Sequence, residues 1–152
     1  MKKHVAIQTP AGRLTVLAAL LAGLAAPALA TPGDVVISQV YGGAGSGGAL
    51  WNRDFIELFN RSGGPVSLKG WSVQYQSATG TTWQATALPD VSLQPGQYFL
   101  VTGQGAATGS DVGTADQTGG LSLSATTGKV ALASVAKAMS TPEGEAVVDL
   151  VG

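Results

Sequence analysis

At 152 residues, with no cysteine, one histidine and a formal charge of −1, the chain has the length of a single domain and little equipment for metal or thiol chemistry. The lack of cysteine excludes disulfides, a thiolate metal site, a cysteine nucleophile and a lipidated cysteine at a processed terminus. Eight basic residues stand against nine acidic ones; they are scattered and form no stripe for neutralising phosphates, so autonomous nucleic-acid binding is not expected.

Residues 1–30 have the three parts of a secretory leader. Lys2, Lys3 and Arg13 make a positive start, Leu14 to Leu24 is uncharged and mostly apolar, and Ala28-Leu29-Ala30 is a small-x-small cleavage site. The apolar run is shorter than the roughly 20 residues a bilayer span requires, and Gly23 and Pro27 interrupt or bound it. No arginine pair precedes it, which favours the general secretory route over the twin-arginine one. Cleavage after Ala30 leaves 122 residues with no membrane anchor, and only 5 of the 8 basic residues against all 9 acidic ones, a net charge of −4. The domain is therefore taken as residues 31–152, secreted to the cell envelope or beyond.

Beyond the leader there is almost no helical period. Short apolar bursts are separated by Gly, Ser, Thr and Pro, which predicts seven or eight short strands in an all-β antiparallel sandwich. Val35 to Tyr41 is the first. Phe55 to Phe59 is the second, with Ile56 and Leu58 on one face and Phe55, Glu57 and Phe59 on the other. Trp71, Val73 and Tyr75 alternate with Ser72, Gln74 and Gln76, the pattern of a strand wet on one side. Thr81 to Leu88 is its expected partner, carrying Trp83. Gln97 to Thr102 follows a Pro95-Gly96 turn. Leu121 with Leu123, Lys129 to Ala133 and Val147 to Val151 complete the set. The expected core is Ile37, Ile56, Leu58, Leu68, Trp71, Val73, Leu93, Leu100, Val130 and Leu132, with Trp71 the most buried.

Several motifs are weighed on this frame. Gly43-Ala44-Gly45-Ser46-Gly47-Gly48 satisfies G-x-G-x-x-G after a strand, but Ala49 to Arg53 leads into another strand, not the helix a pyrophosphate needs. A connecting loop is expected there, with Trp51 either folding back over the mouth of the sandwich, the preferred placement for a large aromatic, or standing exposed as a contact residue. The only histidine, His4, lies in the leader, which leaves serine hydroxyls without a Ser-His pair and zinc without imidazole. Asp54 and Glu57 are three apart in a strand and point to opposite faces. Asp111 and Asp116 sit in a Gly/Thr/Ser/Asp loop for which a solvated turn is preferred over calcium. Glu143, Glu145 and Asp149 are read as solvating charges. Asn60-Arg61-Ser62 fits the N-x-S pattern, and Asn60 is read as a strand-ending residue bonding its own turn. Residues 103–120 are expected to be a long mobile connection.

The run Asp54-Phe-Ile-Glu-Leu-Phe-Asn-Arg-Ser-Gly-Gly-Pro-Val-Ser-Leu-Lys-Gly-Trp71 resembles the lamin-tail domain, a small immunoglobulin-like β-sandwich found in nuclear lamins and in secreted bacterial proteins. Val36-Ile-Ser-Gln-Val-Tyr41 is similar to the family's first strand, with Gln39 where an acidic residue is common. Leu93-Gln-Pro-Gly-Gln-Tyr-Phe-Leu-Val101 is similar to its hairpin, and Val147-Val-Asp-Leu-Val-Gly152 to its closing strand. The resemblance implies a structural role for Asp54, Ile56, Glu57, Leu58 and Asn60, and supplies no reaction. Similar bacterial domains continue past this point and many precede a nuclease domain, so a chain truncated in or after its last strand is one alternative.

The expectation is therefore a secreted, non-catalytic binding or targeting module, with no catalytic, cofactor-binding or metal-binding residues and no cofactor. Its partner would be a protein, envelope or other extracellular ligand, met through residues 42–52 and 103–120. The competing readings are an N-terminal fragment of an extracellular nuclease or phosphoesterase lacking its catalytic domain, and a structural envelope component.

Overall fold

Where apolar residues recur at every second position, the backbone is extended, and side chains fall alternately toward and away from a shared core. The computed structural model describes residues 33–141, 144 and 146–152; the leader, Glu143 and Glu145 lie outside the described residues. It has ten strands and, among those residues, no helix: β1 (Val35–Tyr41), β2 (Phe55–Asn60), β3 (Val66–Ser67), β4 (Ser72–Gln76), β5 (Gln84–Ala87), β6 (Ser92–Leu93), β7 (Tyr98–Thr102), β8 (Gln117–Thr118), β9 (Lys129–Ala133) and β10 (Val147–Val151).

Two four-stranded sheets, in the orders β1-β2-β7-β8 and β10-β9-β4-β5, face each other, and β3 pairs with β6 as a short ribbon. All pairings are antiparallel except β7 with β8. This is the immunoglobulin-like all-β sandwich expected from the sequence. Ile56, Leu58, Phe99 and Val101 from the first sheet meet Val73, Val130 and Leu132 from the second, with Leu68 and Trp71 from the intervening turn.

The structure corrects the expected core in three places. Leu100 is outside it: Leu100 pairs with Glu57 and shares its outward face, while Phe99 opposite Leu58 and Val101 opposite Ile56 point inward. Ile37 is only partly buried, packed against the core. Trp71 is buried but, at 8% exposure, is the least enclosed of the core side chains; Ile56, Leu58, Leu68, Val73 and Leu132 are fully enclosed.

Two expected elements also differ. Leu121 and Leu123 form no strand, although both side chains are in the core. The Leu123 N–H is bound by the Asp54 carboxylate and its carbonyl by Gly43 N–H, so neither group is free for a ladder. And β4 is not wet on one side. Ser72, Gln74 and Gln76 are all buried; the connection after β9 bonds Ser72 and Gln74, and Lys129 of β9 bonds Gln76.

The ends and edges are closed by polar side chains. At the end formed by β3 and β6, buried Asn60 donates to Gly64 O at 2.9 Å and Leu93 O at 2.8 Å, and accepts from Ser62 N at 2.9 Å. Along one side, β1 and β10 are both bulged, between Ile37 and Gln39 and between Val147 and Asp149. Asp149 accepts the Ile37 N–H there at 2.7 Å, a correction to its reading as a solvating charge. Along the other side, the Gln117 amide of β8 donates to Ala87 O of β5 at 2.7 Å.

Candidate interaction surface

β1 and β7 run in the same direction, so the segments that follow them emerge at one end of the sandwich, the mouth. The two loops singled out in the sequence are joined there. Asn52 N–H donates to Ser110 O at 2.9 Å, Ser110 N–H to Leu50 O at 2.8 Å, and Ala106 N–H to Asn52 O at 2.7 Å. Trp51 and Ser110 form a parallel bridge. Residues 103–120 are therefore tied to the sandwich along their length. Asp116 is exposed, and it also accepts Leu100 N–H at 2.7 Å and donates its own N–H to Leu100 O at 3.0 Å.

Local chemistry explains why the loops meet. The Tyr41 hydroxyl, on a ring stacked against Phe55 at 5.5 Å, accepts from Leu50 N at 2.8 Å and Trp51 N at 3.2 Å. Gly109 has φ +99°, and a Cβ there would stand 2.6 Å from the Trp51 carbonyl carbon, so only glycine permits the approach. Asp54, buried at the head of β2, accepts from Ala44 N at 2.8 Å and Leu123 N at 2.6 Å, while its carbonyl takes Gly103 N–H at 2.8 Å. One residue thus positions three mouth segments.

What this scaffold presents is apolar. Leu50 is 73% exposed and Trp51 36%, so Trp51 is partly covered and keeps part of its surface open, between the two placements expected for it. Its backbone is fixed by Tyr41 and Ser110 while its ring stays accessible. The neighbouring signal in the sequence was two large apolar residues side by side in a glycine-rich loop. A cleft of about 540 Å³ opens at the same end, lined by Val40, Tyr75, Leu123, Lys129 and Val151 around the turn 124–128. The Tyr75 hydroxyl accepts from Ser124 N at 3.2 Å, and Lys129 Nζ donates to Gln76 Oε1 at 3.0 Å.

The glycine run forms two successive turns, with Ser46 N–H on Gly43 O and Ala49 N–H on Ser46 O, both at 3.1 Å, and no helix follows. The carboxylates are dispersed. Glu57 accepts from Ser38 Oγ at 2.7 Å on the outer face, Asp54 faces the mouth loops, and Asp111 accepts from Gly113 N at 3.2 Å, apart from the Asp116 bond to β7. Among the described residues no three His, Cys, Asp or Glu side chains cluster as metal ligands. The one ion pair found among them, Lys69 with Asp90 at 2.6 Å, is exposed and remote from the mouth; its hydrogen bond and charge raise the Lys69 pKa above the ordinary lysine value.

No curated protein matches the chain. The family described as Lamin Tail Domain matches residues 28–152, which takes in all of the sequence after the expected leader. A β-sandwich with β2, its Asn60 turn and the hairpin ahead of β7 arranged as described is the fold that resemblance implied. The chain belongs to the lamin tail domain family.

Proposed function

We propose that this is an exported, non-catalytic binding module that meets an extracellular or envelope partner through its mouth. The observation that carries the reading is the display of Leu50 and Trp51 on a loop whose main chain is already fixed. Exposed aromatic side chains anchor interfaces, and a loop ordered before contact loses less entropy on binding. The adjoining cleft has the size of a small-molecule or side-chain pocket, which suits insertion of a partner's apolar group. Export rests on the leader pattern of residues 1–30.

The test pairs wild-type chain with the Leu50→Ser/Trp51→Ala double variant. Both are presented to extracellular and envelope fractions, with retained material identified and its affinity measured. Retention that survives the double variant unchanged removes the mouth from the reading. Export predicts a secreted product beginning at Thr31. For the non-catalytic part, residues 31–152 incubated with nucleic acid and divalent metal should give no cleavage above the buffer control.

A further inference from the structure

Asn60-Arg61-Ser62 satisfies N-x-S, a pattern that in an exported chain marks an acceptor for an N-linked glycan and so, ordinarily, an exposed turn. The fold puts this one elsewhere. Asn60 is 0% exposed, and both hydrogens of its amide are engaged: Nδ2 donates to Gly64 O at 2.9 Å and to Leu93 O at 2.8 Å. Ser62, whose hydroxyl completes the pattern, is turned onto the same residue, with Oγ 2.7 Å from Asn60 Oδ1 and 2.9 Å from Gly64 O.

The main chain is held as firmly. Asn60 N–H donates to Gln97 O at 3.0 Å, and Asn60 O accepts from Gly96 N–H at 2.8 Å, which ties the end of β2 to the turn ahead of β7. Val66, Leu68 and Leu93 are buried at the same end. Exposing the Asn60 amide therefore means opening the β3–β6 ribbon and the start of the β2–β7 ladder together, not fraying a loop tip.

Glycan transfer needs what this arrangement withholds. Nδ2 bonds to the anomeric carbon of a sugar, the bond from that carbon to the diphosphate of a lipid-linked oligosaccharide breaks, and Nδ2 gives up one proton. The product is a secondary amide with a single N–H. It can serve Gly64 O or Leu93 O but not both, and the sugar must lie along the direction of the other. One carbonyl loses its donor, and a sugar ring is driven into an end with no open space beside Asn60.

We propose that Asn60 is a modification site of the unfolded chain alone, and that a glycan on its Nδ2 and the closed β3–β6 end exclude each other. A chain that has folded hides the acceptor; a chain that carries the glycan cannot close. The pattern is thereby read according to folding state. Asn60 lies at the far end of β2 from the mouth, and the proposal does not depend on the function assigned there.

The experiment presents one oligosaccharyltransferase, with its lipid-linked donor, to the chain in two states. Added to purified folded chain, it should modify Asn60 at least about a hundredfold less than when it is present during cell-free synthesis, because the folded acceptor is reached only by opening that end. Thr79→Asn, in an exposed turn, completes a second pattern with Gly80 and Thr81. The folded variant should take one glycan, at position 79 by peptide mass spectrometry, and keep the near-ultraviolet dichroism of the wild type. Wild-type chain glycosylated at Asn60 during synthesis should lack that dichroism and not regain it after dilution from urea. Transfer to Asn60 in the folded chain at the extent seen during synthesis, no transfer during synthesis, or native dichroism in the Asn60-glycosylated chain each overturn the proposal. A folded Thr79→Asn chain left unmodified overturns it too, since folded chains would then be refused whether or not the acceptor is buried.

Discussion

Asp54 and Asn60 bracket β2, and each replaces missing ladder bonds with side-chain ones. Removing the Asp54 carboxylate leaves Ala44 N–H and Leu123 N–H without their acceptor. Buried groups so orphaned cost about 1–3 kcal/mol each, and Ala44 N–H, only part-buried, falls at the low end of that range, so Asp54→Ala is expected to lose roughly 2–4 kcal/mol in urea denaturation. Faster amide exchange should be confined first to residues 43–44 and 121–123. Trp71→Ala, which vacates a core site, should cost about 3–5 kcal/mol without altering exchange at the mouth selectively. The presence of Asp54 at the start of an apolar strand was plain in the sequence, and a structural role for it was legible from the family resemblance. Its partners were not: they lie 10 and 69 residues away, and no local pattern encodes such distances. The Lys69–Asp90 pair makes a contrasting case. A lysine whose folded pKa is raised contributes stability below its unfolded pKa and loses that contribution as pH rises through the folded value. Both side chains are largely exposed, so solvent screens the pair, and Lys69→Ala should leave the urea midpoint at neutral pH unchanged.

At the scale of elements, the strand signals located β1, β2, β9 and β10 well, because each is a short apolar burst bounded by turn residues. The period-2 pattern misplaced the inward face of β7, where Tyr98, Phe99, Leu100 and Val101 are all large and apolar and alternation carries no information. It also misjudged β4. The polar alternates Ser72 and Gln74 predicted water, and the structure supplies a strap of main-chain groups that answers the same hydrogen bonds. A sequence reports that a face needs polar partners, not whether solvent or protein provides them. The β1–β10 side shows the related problem of sheet edges. Facing bulges and the Asp149 carboxylate on Ile37 N–H leave little regular edge for another chain to extend. Asp149→Ala frees that donor beside exposed Val40, Leu150 and Val151. The expected outcome is a loss of about 1–3 kcal/mol together with concentration-dependent association in sedimentation velocity, absent from the wild type.

Across the whole molecule, the two ends of the sandwich are closed in different ways. The β3–β6 end is closed by Asn60 and by buried Val66, Leu68 and Leu93, with Val91 and Tyr98 exposed beside them. The mouth is ordered by polar bonds and turns two large apolar groups outward. Leu50, 73% exposed, contributes little to folding through burial, and neither does the open part of the Trp51 ring, which is 36% exposed. The Leu50→Ser/Trp51→Ala variant should therefore change stability by no more than about 0.5 kcal/mol, while Gly109→Ala, which forces a side chain into the Trp51 backbone at positive φ, should cost about 1–3 kcal/mol. Thermal unfolding of the two separates display from scaffold. If the double variant melts several degrees below wild type, Leu50 and Trp51 are packing residues and the mouth is a structural cap. If it melts with the wild type and Gly109→Ala does not, the loops are held in shape by their backbone, leaving the apolar pair free for contact.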